Sequence, residues 1–254
     1  MANRQIPYQH EIERFMQRHH YSRLAPRVAL IDMDGTLFDS MPGHAEAWHR
    51  MMSELGVNTT LEEFFYYEGR TAQSTIEIVF NRELGRGTDK EEAERLYSRK
   101  KELFNAMGEA PVMPGVKEVL NTFVAAGLNR VLVTGSGQNS LLGRLEREFP
   151  GVFAPELMVT GRDVTHGKPH PEPFLRGMQL ARVKPSQSIV LENAPLGVKA
   201  GDTAGAFTIG VATGPIPCEA LSEAGAAVTF RSMAECAAEI HSLLLSICLI
   251  SLEL

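Results

Sequence analysis

The chain has 254 residues, enough for one large domain or two unequal ones, and 44% hydrophobic with 22% charged residues is an ordinary globular balance. Its 25 basic residues against 31 acidic ones give a net charge of −6, which argues against a sequence-independent grip on nucleic acid. Three scattered cysteines (Cys218, Cys236, Cys248) offer neither metal spacing nor a disulfide framework and suit a reducing cytoplasm. Residues 1–26 lack the apolar stretch of a secretory signal. The apolar tail Leu243–Leu254 falls short of the ~20 residues of a spanning helix, and reads as a packed terminal helix or an interface segment.

In chain order, residues 9–20 read as a short polar helix with Ile12, Phe15 and Met16 on one face, a surface appendage before the first strand. Val28–Ile31 is a continuous apolar run, the mark of a strand buried on both sides. From Pro42 to about Pro111 helical periodicity takes over, as in Ala45–Leu55 and in the spacing of Ile76, Val79, Phe80 and Leu84. Gly85–Thr88 breaks that insert, with Thr88 or Asp89 placed to cap the next helix. Beyond Pro114-Gly115 the pattern alternates. Strands are expected at 130–134, 157–160, 188–191, 207–211 and 227–230, and helices at 116–126, 141–149, 172–181 and 195–204. Alternation of this kind predicts an α/β fold with a buried parallel sheet. The helical insert, residues 41–111, then becomes a small cap domain over the first strand's C-terminal end, and residues 1–40 with 112–254 form the core domain.

Four stretches carry chemistry. Asp32 and Asp34 follow the first strand and are succeeded by Gly35-Thr36; two acids so placed repel unless a cation or proton lies between them. Asp-Gly is also common in plain turns. In the functional reading Asp32 is the nucleophile that accepts a phosphoryl group, and Asp34 exchanges a proton with leaving group and water. Thr134-Gly135-Ser136 sits at another strand end, where hydroxyls and backbone N–H groups bind phosphoryl oxygens, although a capping turn explains it about as well. Lys168, between Gly167 and Pro169, is held on a stiff backbone from which it can reach an anionic centre, or it is a solvated lysine. Glu192-Asn193 follows a buried apolar run and supplies oxygen ligands suited to Mg²⁺.

Taken in order, these stretches resemble the haloacid dehalogenase superfamily of phosphotransferases, whose motifs run Asp-x-Asp, Ser/Thr, Lys and an acidic pair. The resemblance implies a Rossmann-like three-layer core, a helical cap inserted after the first strand, and Mg²⁺ bound by Asp32, the Asp34 carbonyl, Glu192 and Asn193. Ser40, His44, Trp48 and Gly69-Arg70 are similar to the β-phosphoglucomutase branch. The blocks Met41–His49, Glu68–Thr71, Val133–Gln138 and Leu191–Gly197 resemble bacterial inorganic pyrophosphatases of that branch. By the same resemblance His44, Arg70 and Lys100 contact substrate phosphate. The branch has Asp where this chain has Asn193, so one negative charge is missing from the cation site, and Glu68 is the candidate to supply it when the cap closes. Pairing of Glu68 with Arg70 at the rim is the other reading. For Lys100, within Arg99-Lys100-Lys101, the other reading is a solvated helix face.

The expectation is a Mg²⁺-dependent phosphohydrolase working through an aspartyl-phosphate, acting on pyrophosphate or a small phosphate ester. A hexose phosphate mutase is the alternative, and a phosphate-binding regulatory protein a third. A cytoplasmic monomer or weak homodimer, with no nucleic-acid or membrane partner, completes the reading.

Overall fold

The structure is a computed structural model and describes residues 6–135 and 141–253. Its sheet is parallel throughout. The strands are β1 (Val28–Ile31), β2 (Asn129–Val133), β3 (Met158–Val159), β4 (Ser188–Glu192), β5 (Phe207–Val211) and β6 (Val228–Phe230), in the spatial order β3-β2-β1-β4-β5-β6. β1 lies between β2 and β4, with Ile31 opposite Leu132 on one side and Leu191 on the other. The order therefore reverses at β1, and in open α/β sheets the crevice beyond such a reversal is where ligands bind.

Alternation along β1 divides the core into layers. Val28 and Leu30 join Val131, Val133, Val190, Phe174 and Met178, beneath α8 (Glu172–Ala181) and α9 (Pro195–Thr203). Ala29 and Ile31 join Leu132, Ile189, Phe123, Leu145 and Leu243 on the opposite face. That face is covered by α6 (Val116–Ala125), α7 (Leu141–Glu148) and α11 (Met233–Glu253). With helices on both faces, every residue of β1 is buried, which is why the strand reads as one apolar run.

The N-terminal helix α1 (Gln9–Arg18) is not a surface appendage. Ile12, Phe15 and Met16 are buried in the main core, where Phe15 meets Phe207 edge-on at 5.1 Å. Its end is tied down by Arg18 and His19, both on Asp202. At the other terminus, α11 is long and apolar enough to cross a membrane by length and composition alone. Its Met233, Cys236, Ile240, Leu243 and Ile247 are buried in the same core as α1 and α6, so its apolar face is used for packing.

The segment after β1 forms α2 (Met41–Glu54), α3 (Leu61–Tyr66), α4 (Ala72–Leu84) and α5 (Lys90–Asn105). These helices have their own core, in which Met51, Met52, Phe64, Ile76, Val79, Phe80 and Leu96 are buried. Leu84, expected on the inner face of α4, is 45% exposed, because Gly85 ends that helix in a left-handed turn just beyond it. Thr60 and Glu63 box the start of α3, and Asp89 rather than Thr88 caps α5 by accepting the Glu92 N–H at 2.7 Å. The two connections to the sheet run side by side: Asp39 N–H donates to Pro111 O at 2.9 Å, and Met113 N–H to Leu37 O at 2.9 Å. Neither α3 nor α10 (Cys218–Glu223) was singled out in the sequence, since at six residues each they are too short for a helical period to show.

Candidate active site

The site forms where β1, β2 and β4 end together. Asp32 is the first residue beyond β1, Thr134 follows β2, and Glu192 closes β4. Lys168, on the loop entering α8, is 3% exposed and donates to Asp32 Oδ1 at 2.5 Å, Glu192 Oε1 at 2.6 Å and Val133 O at 3.3 Å. The lysine thus bridges the first and fourth stretches. Both oxygens of Glu192 are engaged, since Oε2 accepts from the Asn193 and Ala194 N–H groups at 2.8 and 2.9 Å. Glu192 therefore orients Lys168 and the β4–α9 turn, with one lone pair of Oε1 left beyond the Lys168 contact.

Asn193 links the β1 end to the helical segment that follows it. Its Oδ1 accepts from Thr36 Oγ1 at 2.9 Å and its Nδ2 donates to Glu68 Oε2 at 3.0 Å. An aspartate in this place would face Glu68 as a like charge; the amide seats it instead. Glu68 is consequently inside the site and not paired with Arg70, whose guanidinium reaches Ser74 Oγ at 3.4 Å. The approach is close enough to require glycines. A Cβ on Gly35 (φ 77°) would lie 2.1 Å from Asn193 Nδ2, and one on Gly69 (φ 87°) 3.0 Å from the Lys168 stem.

Asp34 lies in a second chain of contacts. Ser40 Oγ donates to its Oδ1 at 2.6 Å, and His44 Nε2 lies 3.1 Å from the same oxygen. His44 Nδ1 stands 2.5 Å from Lys100 Nζ, so the lysine donates and the imidazole proton resides on Nε2, facing Asp34. Phe104 stacks on His44 at 3.9 Å and 5°. Lys100 is 4% exposed, not on a solvated face, and sits over Trp48 at 5.4 Å. Burial pulls Lys100 down to about 8, partly offset by the charge of Asp34. Burial, and then Lys100, also lowers His44. Asp34 is itself raised by burial, but His44 and Ser40 outweigh that and hold its carboxyl at about 2.

The remaining acids are over-supplied with negative charge. Burial pushes Asp32 well above the ordinary carboxylate range; Lys168 pulls it back and Glu192 adds to the rise. Burial, followed by the charges of Asp32, Glu192 and Asp34, does the same to Glu68. Asp32 Oδ2 and Glu68 Oε1 are buried with no hydrogen-bond partner. Two orphaned carboxylate oxygens in a buried anionic pocket fit a hard cation that takes oxygen ligands, the chemistry of Mg²⁺.

A cavity of about 100 Å³ is lined by Asp32, Asp34, His44, Glu68, Arg70 and Lys100. It adjoins a cleft of about 700 Å³, shares Gly69, Arg70, Tyr97 and Gly135 with it, and the cleft adds Lys101 and Arg162. Tyr97, Lys101 and Arg162 gave no signal in the sequence beyond being polar residues on predicted helices or loops. Thr134 is buried at the strand end, Gly135 lines both spaces, and Ser136 lies outside the described residues. Sequence reading also gave no role to Thr36, although Asp34-Gly35-Thr36 was the available signal.

A Rossmann-like sheet with an acid pair, a bridging lysine and a helical unit over its switch point defines an enzyme of the phosphatase and phosphomutase class. The chain belongs to the haloacid dehalogenase-like hydrolase family, whose family model matches residues 26–205. It is similar to Hexitol phosphatase A of Escherichia coli (strain K12), 30% identical over 183 residues, covering 72% of this chain and 81% of that protein. The Phosphorylated carbohydrates phosphatase of Thermotoga maritima is 30% identical over 201 residues, covering 78% and 91%. Among solved structures, a protein from Bacteroides vulgatus described as a candidate beta-phosphoglucomutase superposes with a TM-score of 0.91. It is 43% identical over 94% of this chain and 98% of that one.

Proposed function

We propose that the protein is a Mg²⁺-dependent phosphohydrolase that passes a phosphoryl group from a small phosphorylated substrate to Asp32 and then to water. The observation that carries this reading is Asp32 itself, buried, anchored through one oxygen by Lys168 and unpartnered at the other. Asp32, the Asp34 carbonyl and Glu68 would hold the ion. When bound it supplies positive charge against the phosphoryl oxygens and the clustered carboxylates.

In the first half-reaction an Asp32 carboxylate oxygen attacks phosphorus as the bond to the leaving-group oxygen breaks, and that oxygen takes a proton from Asp34. In the second, water attacks the aspartyl-phosphate, surrenders its proton to Asp34 and releases phosphate, regenerating Asp32. In the unliganded site Asp34 is held ionised. The negative charge of an entering phosphate raises its proton affinity, which equips it to act as the acid. Arg70 and Lys100, from the helical unit taken here as the cap (residues 41–111), face the same cavity and complement the phosphate charge.

For the substrate, the compact 100 Å³ space with Glu68 seated beside Asp32 favours pyrophosphate, and the names of the two phosphatase relatives favour a phosphorylated carbohydrate reaching into the wider cleft. Phosphate release from pyrophosphate, hexitol phosphates and hexose phosphates, measured with Mg²⁺ varied, separates the two. Turnover without a divalent ion, or turnover surviving Asp32→Asn, overturns the mechanism. The Bacteroides vulgatus likeness favours a second reading, mutase action. Conversion of β-glucose 1-phosphate to the 6-phosphate, primed by a bisphosphate and faster than phosphate release, would select it.

A further inference from the structure

The loop that buries Lys168 carries a second group of donor atoms on its solvent side. His166 and His170 are exposed, and Glu172 is the first residue of α8. His166 Nδ1 lies 2.9 Å and His170 Nδ1 3.9 Å from Glu172 Oε2. The two imidazoles are 4.7 Å apart at 37°, and one ligand atom from each of the three residues lies within 4.8 Å of the others. A tetrahedral zinc ion, at about 2.0–2.2 Å from nitrogen and oxygen ligands, sets its donors roughly 3.3 Å apart. The distances of 2.9 and 3.9 Å straddle that value, so shifts of about half an ångström in exposed rings complete the geometry.

The group is also held in place. The Glu172 carboxylate accepts from Thr165 N–H at 2.7 Å and His166 N–H at 2.9 Å, and His170 N–H donates to Gly167 O at 3.0 Å. His170 Nδ1 accepts the Glu172 N–H at 3.2 Å, so it is the unprotonated nitrogen, and an ion binding there displaces that hydrogen bond. Two imidazoles and one carboxylate form the ligand set of three-residue zinc sites that leave a fourth position for water. That set selects a borderline ion over the hard cations preferred by the all-oxygen active site.

We propose that His166, His170 and Glu172 form a binding site for a Zn²⁺-type transition-metal ion, separate from the active site. The two histidines flank Lys168 by two residues on either side, so a bound ion ties together the ends of the segment that delivers Lys168 to Asp32 and Glu192. The site stands on its own geometry and does not depend on which phosphorylated substrate the enzyme turns over.

The test uses the full-length chain, stripped with chelator and then saturated with Mg²⁺. Calorimetric titration with Zn²⁺ is expected to show one ion bound with a micromolar or tighter dissociation constant, accompanied by a rise in melting temperature. Co²⁺ should give the visible bands of a low-coordinate nitrogen–oxygen site. His170→Ala, which removes the acceptor of the Glu172 N–H but leaves the backbone donors to the Glu172 carboxylate, is expected to lower the metal-free melting temperature by only a few degrees and to lose about tenfold or more in Zn²⁺ affinity. Glu172→Gln should weaken binding likewise, and Asp32→Asn should leave it unchanged. Equal Zn²⁺ affinity in wild type and the His166→Ala/His170→Ala double variant, or wild-type binding only at millimolar Zn²⁺, overturns the proposal.

Discussion

Lys168→Met removes the ammonium at the centre of the site and keeps an unbranched apolar stem. Asp32 Oδ1, Glu192 Oε1 and Val133 O lose their donor. Glu192 retains the two backbone N–H groups on Oε2. Asp32 retains no side-chain partner, because its other oxygen already has none. Breaking a buried ion pair from one side costs about 3–5 kcal/mol. At ~2–4 °C per kcal/mol for a chain of this size, the melting temperature should fall by roughly 6–20 °C. The deficit carries a sign in pH. Asp32 is already raised by burial and Glu192, and loss of Lys168 raises it further. The folded state then holds a proton that the unfolded chain, near pKa ~3.9, has released. The stability of the variant is therefore retained at low pH and lost as pH rises through the folded pKa, so the gap from wild type should be widest near pH 8 and narrow towards pH 5. Mg²⁺ at ~100 times its dissociation constant adds about 2.7 kcal/mol to any state that binds it, and should recover much of the loss. Thermal and urea melts of both proteins at several pH values, with and without Mg²⁺, provide the measurement. A fall under ~2 °C that is indifferent to pH and Mg²⁺ would refute the picture of Lys168 neutralising a buried acid cluster.

Other expectations follow from the same geometry. Glu68→Gln removes a carboxyl forced upward by its neighbours, so metal-free stability should hold or rise while Mg²⁺ binds about tenfold or more weakly; an unchanged Mg²⁺ titration would remove Glu68 from the ion's ligands. Lys100 is lowered to about 8, so it is charged below that pH and neutral above it. The kcat/KM profile should fall above about pH 8, and Lys100→Arg, which keeps its charge, should move that limb upward; a limb that stays put assigns it to another group. Phe15→Ala should cost about 3–5 kcal/mol by denaturant melting, where a surface appendage would lose under ~0.5 kcal/mol.

Much of this architecture was legible in the residues because each signal is local. A strand covered by helices on both faces is buried along its length and mostly apolar, so Val28–Ile31, Ser188–Leu191 and Phe207–Val211 announce themselves. Asp32, Asp34 and Lys168 were recognisable because each follows a strand end or a stiffened turn. Glu68 and Lys100 were ambiguous for the opposite reason. Each sits among charged neighbours in the chain, and its burial is set by what the helical unit meets, Asn193 in one case and His44 with Trp48 in the other.

The sequence by itself determined the sheet, the alternation of strand and helix, which acids stand at strand ends and which lysine sits on a stiffened turn, since hydrophobic period and turn chemistry are written residue by residue. Only the tertiary structure decided that Glu192 anchors Lys168 and the β4–α9 turn, that Asn193 seats Glu68, and that α1 belongs to the core. Those outcomes depend on which side chains, distant along the chain, compete for the same lone pairs or the same apolar surface. That competition is settled by packing, because a hydrogen bond or a buried face can be used only once.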